Sequence, residues 1–134
     1  MPDDTDNDLV SAAIAVRENA YCPYSHFSVG AALLDETGTV HVGCNVENSS
    51  YPEGNCAETS AIASMVASGA RRIRRIVVAG GFDEIETCTP CGGCRQRIAE
   101  FSDDDTVIVI VNGDGGTDEY RVADLLPLSF RLEQ

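Results

Sequence analysis

The strongest chemical signal in the sequence lies in two short runs, Cys56-Ala57-Glu58 and Pro90-Cys91-Gly92-Gly93-Cys94. Each run opens a predicted helix. Cys91 and Cys94 are three apart, so on a first helical turn their sulfurs face the same way. Helix side chains lean toward the N-terminus, so all three thiols can point past the helix ends. Two helix N-termini converging on one place offset negative charge and favour thiolates. Three thiolates meeting one ion suit Zn²⁺ in tetrahedral geometry, with the fourth position left for water. Glu58, two residues beyond a ligand, is then expected to reach that water as general base. A closed structural site with Cys88 as fourth ligand competes on spacing, through Cys88-x-x-Cys91-x-x-Cys94. Glu58 beside the first ligand and Pro90 between Cys88 and Cys91 weigh against it.

These residues need a scaffold, and the apolar pattern predicts one. A helix is expected from Asn7 or Asp8 to about Ala20, with apolar residues at Leu9, Ala13, Val16 and Ala20, after an acidic flexible tail over residues 1–7. Phe27–Leu34 and Val40–Cys44 read as strands joined by the hairpin turn Asp35-Glu36-Thr37-Gly38-Thr39. A helix over Cys56–Ala67 follows, then the apolar strand Ile76–Ala79, expected to be buried on both faces. A helix from Cys91 to Phe101 leads to Thr106–Val111, a β-branched strand, and a short strand near Glu119–Val122 precedes a helical turn over Val122–Leu126. The order α-β-β-α-β-α-β-β indicates one layered α/β domain with a mixed sheet over residues 8–134.

Charge narrows the partner. Twenty-two acidic residues against nine basic ones, all nine of them arginine, give a net −13. Such a surface repels phosphate backbones and anionic lipid, so neither a nucleic-acid polymer nor a membrane is the expected partner. A small, roughly neutral ligand suits it. The lysine-free, Asp-rich make-up is compatible with a saline cytoplasm and equally with a GC-rich genome. No apolar run approaches the ~20 residues that span a bilayer, and the start of the chain is acidic where a secretory signal is basic and then apolar. A cytoplasmic location is expected, and the six cysteines then read as metal chemistry and free thiols. Cys22 and Cys44 are expected as small buried hydrophobes. His26 and His41 each stand alone and are not expected as ligands. The arginine run 71–75 falls at a predicted helix C-terminus, where cations oppose the negative end of the dipole.

A cysteine or histidine followed by x-Glu, then a gap and Pro-Cys-x-x-Cys, is the signature of zinc nucleobase deaminases. Around it the chain resembles the small, homotetrameric-type cytidine deaminases, in the runs Tyr21-Cys22-Pro23-Tyr24-Ser25-His26-Phe27-Ser28-Val29-Gly30-Ala31-Ala32, Gly43-Cys44-Asn45-Val46-Glu47-Asn48, the two cysteine runs with Arg95-Gln96, and Leu125-Leu126-Pro127-Leu128-Ser129-Phe130. The resemblance implies a three-layer α-β-α fold with a five-stranded mixed sheet. It implies that Cys56, Cys91 and Cys94 bind zinc and that Glu58 shuttles protons. Asn45 and Glu47 would hydrogen-bond the ribose 3′-hydroxyl, and Phe27 would pack near the base and sugar. Backbone groups at Ala57 and Thr89 would read the pyrimidine, while Tyr51 and Phe130 would complete a neighbouring subunit's pocket in a homotetramer.

The expected reaction is hydrolytic deamination of free cytidine and 2′-deoxycytidine to the uridine forms with release of ammonia, in pyrimidine salvage. Zinc lowers the pKa of its bound water toward ~7, which supplies hydroxide to attack C4 at neutral pH. A deaminase of another aminated pyrimidine nucleoside analogue and a non-catalytic zinc-binding domain are the competing readings. One departure from the family bears on the second. Many members carry an arginine after Cys-Ala-Glu that donates to the ligand sulfurs, whereas this chain has Thr59. Three thiolates leave a net −1 site, a poor Lewis acid unless donors draw charge off the sulfurs. Arg95 or Arg97 is the expected substitute, in contact with a ligand sulfur.

Overall fold

The computed structural model describes residues 4–132. In chain order its elements are α1 (Asp4–Arg17), β1 (Ser28–Asp35), β2 (Val40–Cys44), a 3₁₀ turn (Tyr51–Glu53), α2 (Ala57–Ala67), β3 (Ile73–Gly81), α3 (Gly92–Glu100), β4 (Val107–Val111), β5 (Thr117–Arg121) and α4 (Val122–Leu125). The strands make one sheet in the order β2-β1-β3-β4-β5. β3 and β4 run parallel, and the other neighbours are antiparallel.

The parallel pair sits mid-sheet and needs cover on both faces. Its residues divide by pleat. Ile76, Val78, Ile108 and Ile110 pack with Ala61, Ile62 and Met65 of α2 and Ile98 of α3. Val77, Ala79, Val107, Val109 and Val111 pack with Leu9 and Ala13 of α1. The result is the three-layer α-β-α arrangement with a five-stranded mixed sheet.

Two glycines set the helices close to the sheet. A Cβ at Gly30 would lie 2.0 Å from the Ala13 carbonyl oxygen, so α1 rests directly on β1. A Cβ at Gly43 would lie 2.4 Å from the Ala61 nitrogen and 2.6 Å from the Ala57 oxygen, so α2 rests on β2 in the same way. Arg17, buried at the end of α1, ties three carbonyls: its Nε donates to Ser28 at 3.0 Å, and its Nη2 to Gly81 at 2.9 Å and Phe82 at 3.0 Å.

α1 begins at Asp4, earlier than its apolar spacing predicts, and takes in residues expected as loose tail. The reason is an ion pair. The Asp6 carboxylate meets Arg75 of β3, with Nε–Oδ1 at 2.5 Å and Nη2–Oδ2 at 2.9 Å. Residues 1–3 lie outside the described residues. The arginine run behaves as its position suggests: Arg71 Nη1 donates to the carbonyls of Val66 and Ala70, at the end of α2. Cys22 and Cys44 are half-buried, not fully enclosed: Cys22 precedes β1, its Sγ 3.2 Å from Ser28 Oγ, and Cys44 is the last residue of β2.

Candidate active site

α2 and α3 lie on one face of the sheet, and their N-termini carry the cysteines. Cys56 and Cys91 are the N-caps of α2 and α3, both with extended backbone, and Cys94 is buried one turn into α3. Cysteine is a weak cap. Cys56 makes no side-chain cap bond, and Cys91 Sγ accepts from the Cys94 N–H at 3.5 Å. Their sulfurs are thereby left facing each other. All three lie within 4.8 Å of one another, and the Cys56–Cys91 separation is 3.9 Å.

That geometry fits a metal. Zn–S bonds of about 2.3 Å in tetrahedral geometry place sulfurs about 3.8 Å apart. The sulfur-only donor set suits zinc, and Cys56, Cys91 and Cys94 are positioned to hold such an ion. Cys88 is not part of the cluster. Burial pushes its thiol up to about 11, with the nearby Glu58 and Glu86 carboxylates and the Cys91 and Cys94 sulfurs adding to the shift. The closed Cys₄ arrangement is therefore absent among the described residues. A hydrogen bond shared by Cys56 and Cys94 pulls the Cys56 thiol down and pushes the Cys94 thiol up, burial adding to the latter.

A cavity of about 340 Å³ opens beside the cluster, and its wall includes Cys56, Cys91, Ala57, Glu58 and Thr89. Glu58 is 4% exposed. Desolvation holds its carboxyl above the usual glutamate range, partly offset by hydrogen bonds from its own N–H and Cys94 and by the charge of Arg97. A carboxyl raised in this way is a stronger base than an exposed glutamate.

The opposite wall is the segment after β2, which also contributes to the cavity through Asn45, Glu47 and Tyr51. Asn45 is locked by two bonds, Oδ1 accepting from Val29 N–H at 2.8 Å and Nδ2 donating to the Phe27 carbonyl at 2.8 Å. Glu47 Oε1 accepts from the N–H groups of Tyr24 at 3.0 Å and Ser25 at 3.1 Å. Hydrogen bonding around Ser25, from its side chain and its N–H, and from the Tyr24 N–H, holds this carboxyl below its ordinary range.

Two predicted site residues stand apart. Phe27 packs edge-on against Phe82, ring centroids 5.0 Å apart, and does not line the cavity. Phe130 is 68% exposed, and its carbonyl accepts from Gln96 Nε2 at 2.9 Å. Val29, Asn55 and Cys88 also line the cavity without having been expected there. Adjacency to Cys56 was the one available signal for Asn55.

The arginine expected at a ligand sulfur is not there. Arg95 spends its guanidinium on carbonyls, Nε to Pro90 and Nη1 to Leu125, both at 2.8 Å. Arg97 lies over Gly93, its Nη1 3.1 Å from where a Cβ would stand. Among the described residues no hydrogen bond joins either one to a cysteine. Thr59 Oγ1, by contrast, is 3.8 Å from Cys94 Sγ.

The profile described as the cytidine and deoxycytidylate deaminase zinc-binding region matches residues 3–110, which takes in both cysteine runs and Glu58. A cytidine deaminase from Sporosarcina psychrophila is 44% identical over 125 residues, 93% of this chain and 90% of that one. The crystal structure of a cytidine deaminase from Burkholderia pseudomallei has a TM-score of 0.85 at 43% identity, over 92% of this chain and 98% of that one. One from Mycobacterium tuberculosis has a TM-score of 0.82 at 35% identity, over 97% and 100%.

Proposed function

We propose that this chain, which belongs to the family of zinc-binding cytidine and deoxycytidylate deaminases, hydrolyses free cytidine and 2′-deoxycytidine to uridine and 2′-deoxyuridine, releasing ammonia, as a salvage enzyme of the cytoplasm. The observation that carries the reading is a buried carboxyl, Glu58, in the wall of a nucleoside-sized cavity beside three convergent thiols. When bound, zinc lowers the pKa of a coordinated water toward ~7 and so supplies the nucleophile for C4.

Glu58 is the proton carrier. It takes a proton on its carboxylate, passes it to ring N3, which makes C4 attackable, and carries a second proton to the departing amine. Its raised pKa strengthens it for the proton-accepting half of that exchange. The backbone at Ala57 and Thr89 faces the pyrimidine. At the sugar end, the backbone N–H groups of Tyr24 and Ser25 occupy Glu47 Oε1 and leave Oε2 for a hydroxyl, while Asn45 is held in place by β1.

None of the cavity-lining residues is cationic. An uncharged nucleoside fits that wall better than a nucleotide, and the net charge of −13 disfavours a polymer. Six free cysteines suit a reducing compartment, and no helix among the described residues is long and apolar enough to cross a membrane. The exposed Phe130 and Tyr51, at 68% and 76%, support assembly as a homotetramer in which Phe130 completes a neighbour's pocket.

The test is ammonia release with the matching ultraviolet change, from cytidine and from deoxycytidine, by zinc-loaded wild type and by Glu58→Gln. Wild type should turn over both nucleosides with about one zinc per chain. The variant should retain zinc and lose at least ~10²–10⁴-fold in kcat. Bound zinc without turnover of either nucleoside overturns the reading.

A further inference from the structure

Three thiolates on one Zn²⁺ carry a net negative charge, and hydrogen-bond donors to the sulfurs decide how strongly the ion attracts a further ligand. The structure shows how each sulfur is served. Cys91 Sγ takes the Cys94 N–H at 3.5 Å. Cys94 Sγ is enclosed, with its residue fully buried, and the hydroxyl that reaches it is that of Thr59, at 3.8 Å.

The orientation of Thr59 is informative. A serine or threonine inside a helix usually turns its hydroxyl back onto the carbonyl four residues earlier. Ser60 does so, its Oγ donating to the Cys56 carbonyl at 3.2 Å. For Thr59 the corresponding acceptor is the Asn55 carbonyl, which lies before α2 and pairs with the Val46 N–H at 2.9 Å. The Thr59 hydroxyl instead crosses to α3 and meets a sulfur thirty-five residues away in sequence. Arg95 is committed to the carbonyls of Pro90 and Leu125 and leaves that place open to it.

We infer that Thr59 is the hydrogen-bond donor to the Cys94 ligand sulfur, a positioning residue that draws charge off the thiolate and so sets the affinity and electron richness of the metal site. The hydroxyl donates its proton because a metal-bound thiolate has none to give. This inference rests on the zinc deaminase reading above.

The experiment compares wild type, Thr59→Val and Thr59→Ser, each loaded separately with zinc and with cobalt(II). Valine keeps the shape and removes the hydroxyl; serine keeps the hydroxyl and removes the methyl. Zinc affinity is read by chelator competition, and sulfur electron richness by the thiolate-to-cobalt charge-transfer band. Thr59→Val is expected to bind zinc about 10–100-fold more weakly and to move the cobalt band to lower energy, while Thr59→Ser stays near wild type in both. Wild-type values in Thr59→Val overturn the assignment, as does Thr59→Ser shifting as far as Thr59→Val, which marks a packing role. A wild-type chain that takes up no metal overturns the zinc reading, and Thr59 falls with it; metal uptake with unchanged variants overturns the Thr59 assignment alone.

Discussion

Asp35 closes β1 with a carboxylate that is 1% exposed and fully engaged. It accepts from the Thr37 N–H at 2.7 Å, the Thr37 hydroxyl at 2.6 Å and the Thr39 N–H at 3.1 Å, and its Oδ2 meets His41 Nε2 at 2.7 Å. Burial pushes this carboxyl up, but the bonds from Thr37, His41 and Thr39 outweigh it and hold the group well below the usual carboxylate range. A depressed folded-state value stabilises the fold in full above the unfolded-state pKa of about 3.9 and progressively less as pH falls below it. Asp35→Asn should therefore cost about 1–3 kcal/mol near neutrality, with the gap to wild type closing below about pH 4. Denaturant titrations at several pH values check this, and a gap constant down to pH 2 would count against it. At this scale the cysteine cluster and the carboxyl beside it are the legible part, because Cys56, Glu58, Cys91 and Cys94 sit at fixed spacing inside two short runs. The Asp35–His41 pair and the Thr59–Cys94 bond are not legible that way. Each depends on a partner in another element, and at Thr59 the sequence points to Arg95 or Arg97 as the sulfur's donor instead.

Elements transmit position, and the two glycines beneath the helices separate stability from site geometry. Gly43→Ala forces a Cβ against the backbone of α2, whose cap is Cys56. Gly30→Ala does the same to α1, which carries no site residue. Both should lose about 1–3 kcal/mol through overpacking. Only Gly43→Ala should also weaken zinc binding, since it shifts one donor relative to two on α3. Unfolding curves together with chelator competition on both variants make the comparison, and equal zinc loss in the two would show that the sheet contact does not position Cys56. Most elements are readable from apolar period because burial on one helix stripe or both strand faces leaves that mark. The start of α1 is not, since the Asp6–Arg75 ion pair that anchors it bridges sixty-nine residues. Phe27 is expected near the ligand only through the family resemblance, and in the structure its ring packs edge-on against Phe82.

Over the whole molecule, charge is the unbalanced quantity. Among the described residues Arg75 pairs with Asp6 and Glu119, Arg72 with Asp103 at 3.3 Å and Arg17 with Glu18 at 3.9 Å, while over the full sequence twenty-two acidic residues face only nine basic ones. Exposed pairs contribute little, about 0–1 kcal/mol each, so mutual repulsion among carboxylates outweighs them. Sodium chloride shortens the screening length from about 10 Å at 0.1 M to about 3 Å at 1 M. The thermal midpoint should rise across that range, and a fall would show that ion pairs govern instead. The metal donors have a consequence of another kind. Cys56 and Cys91 are thirty-five residues apart, and β3, the strand between them in sequence, must be seated between β1 and β4 before the tips of α2 and α3 can meet. The expectation is that the ion is captured after this seating, as a clasp on an already formed fold. Zinc should slow unfolding by the whole factor by which it raises the equilibrium constant and leave the refolding rate unchanged, so that chelated and zinc-loaded protein differ in how fast they come apart and share one rate of assembly.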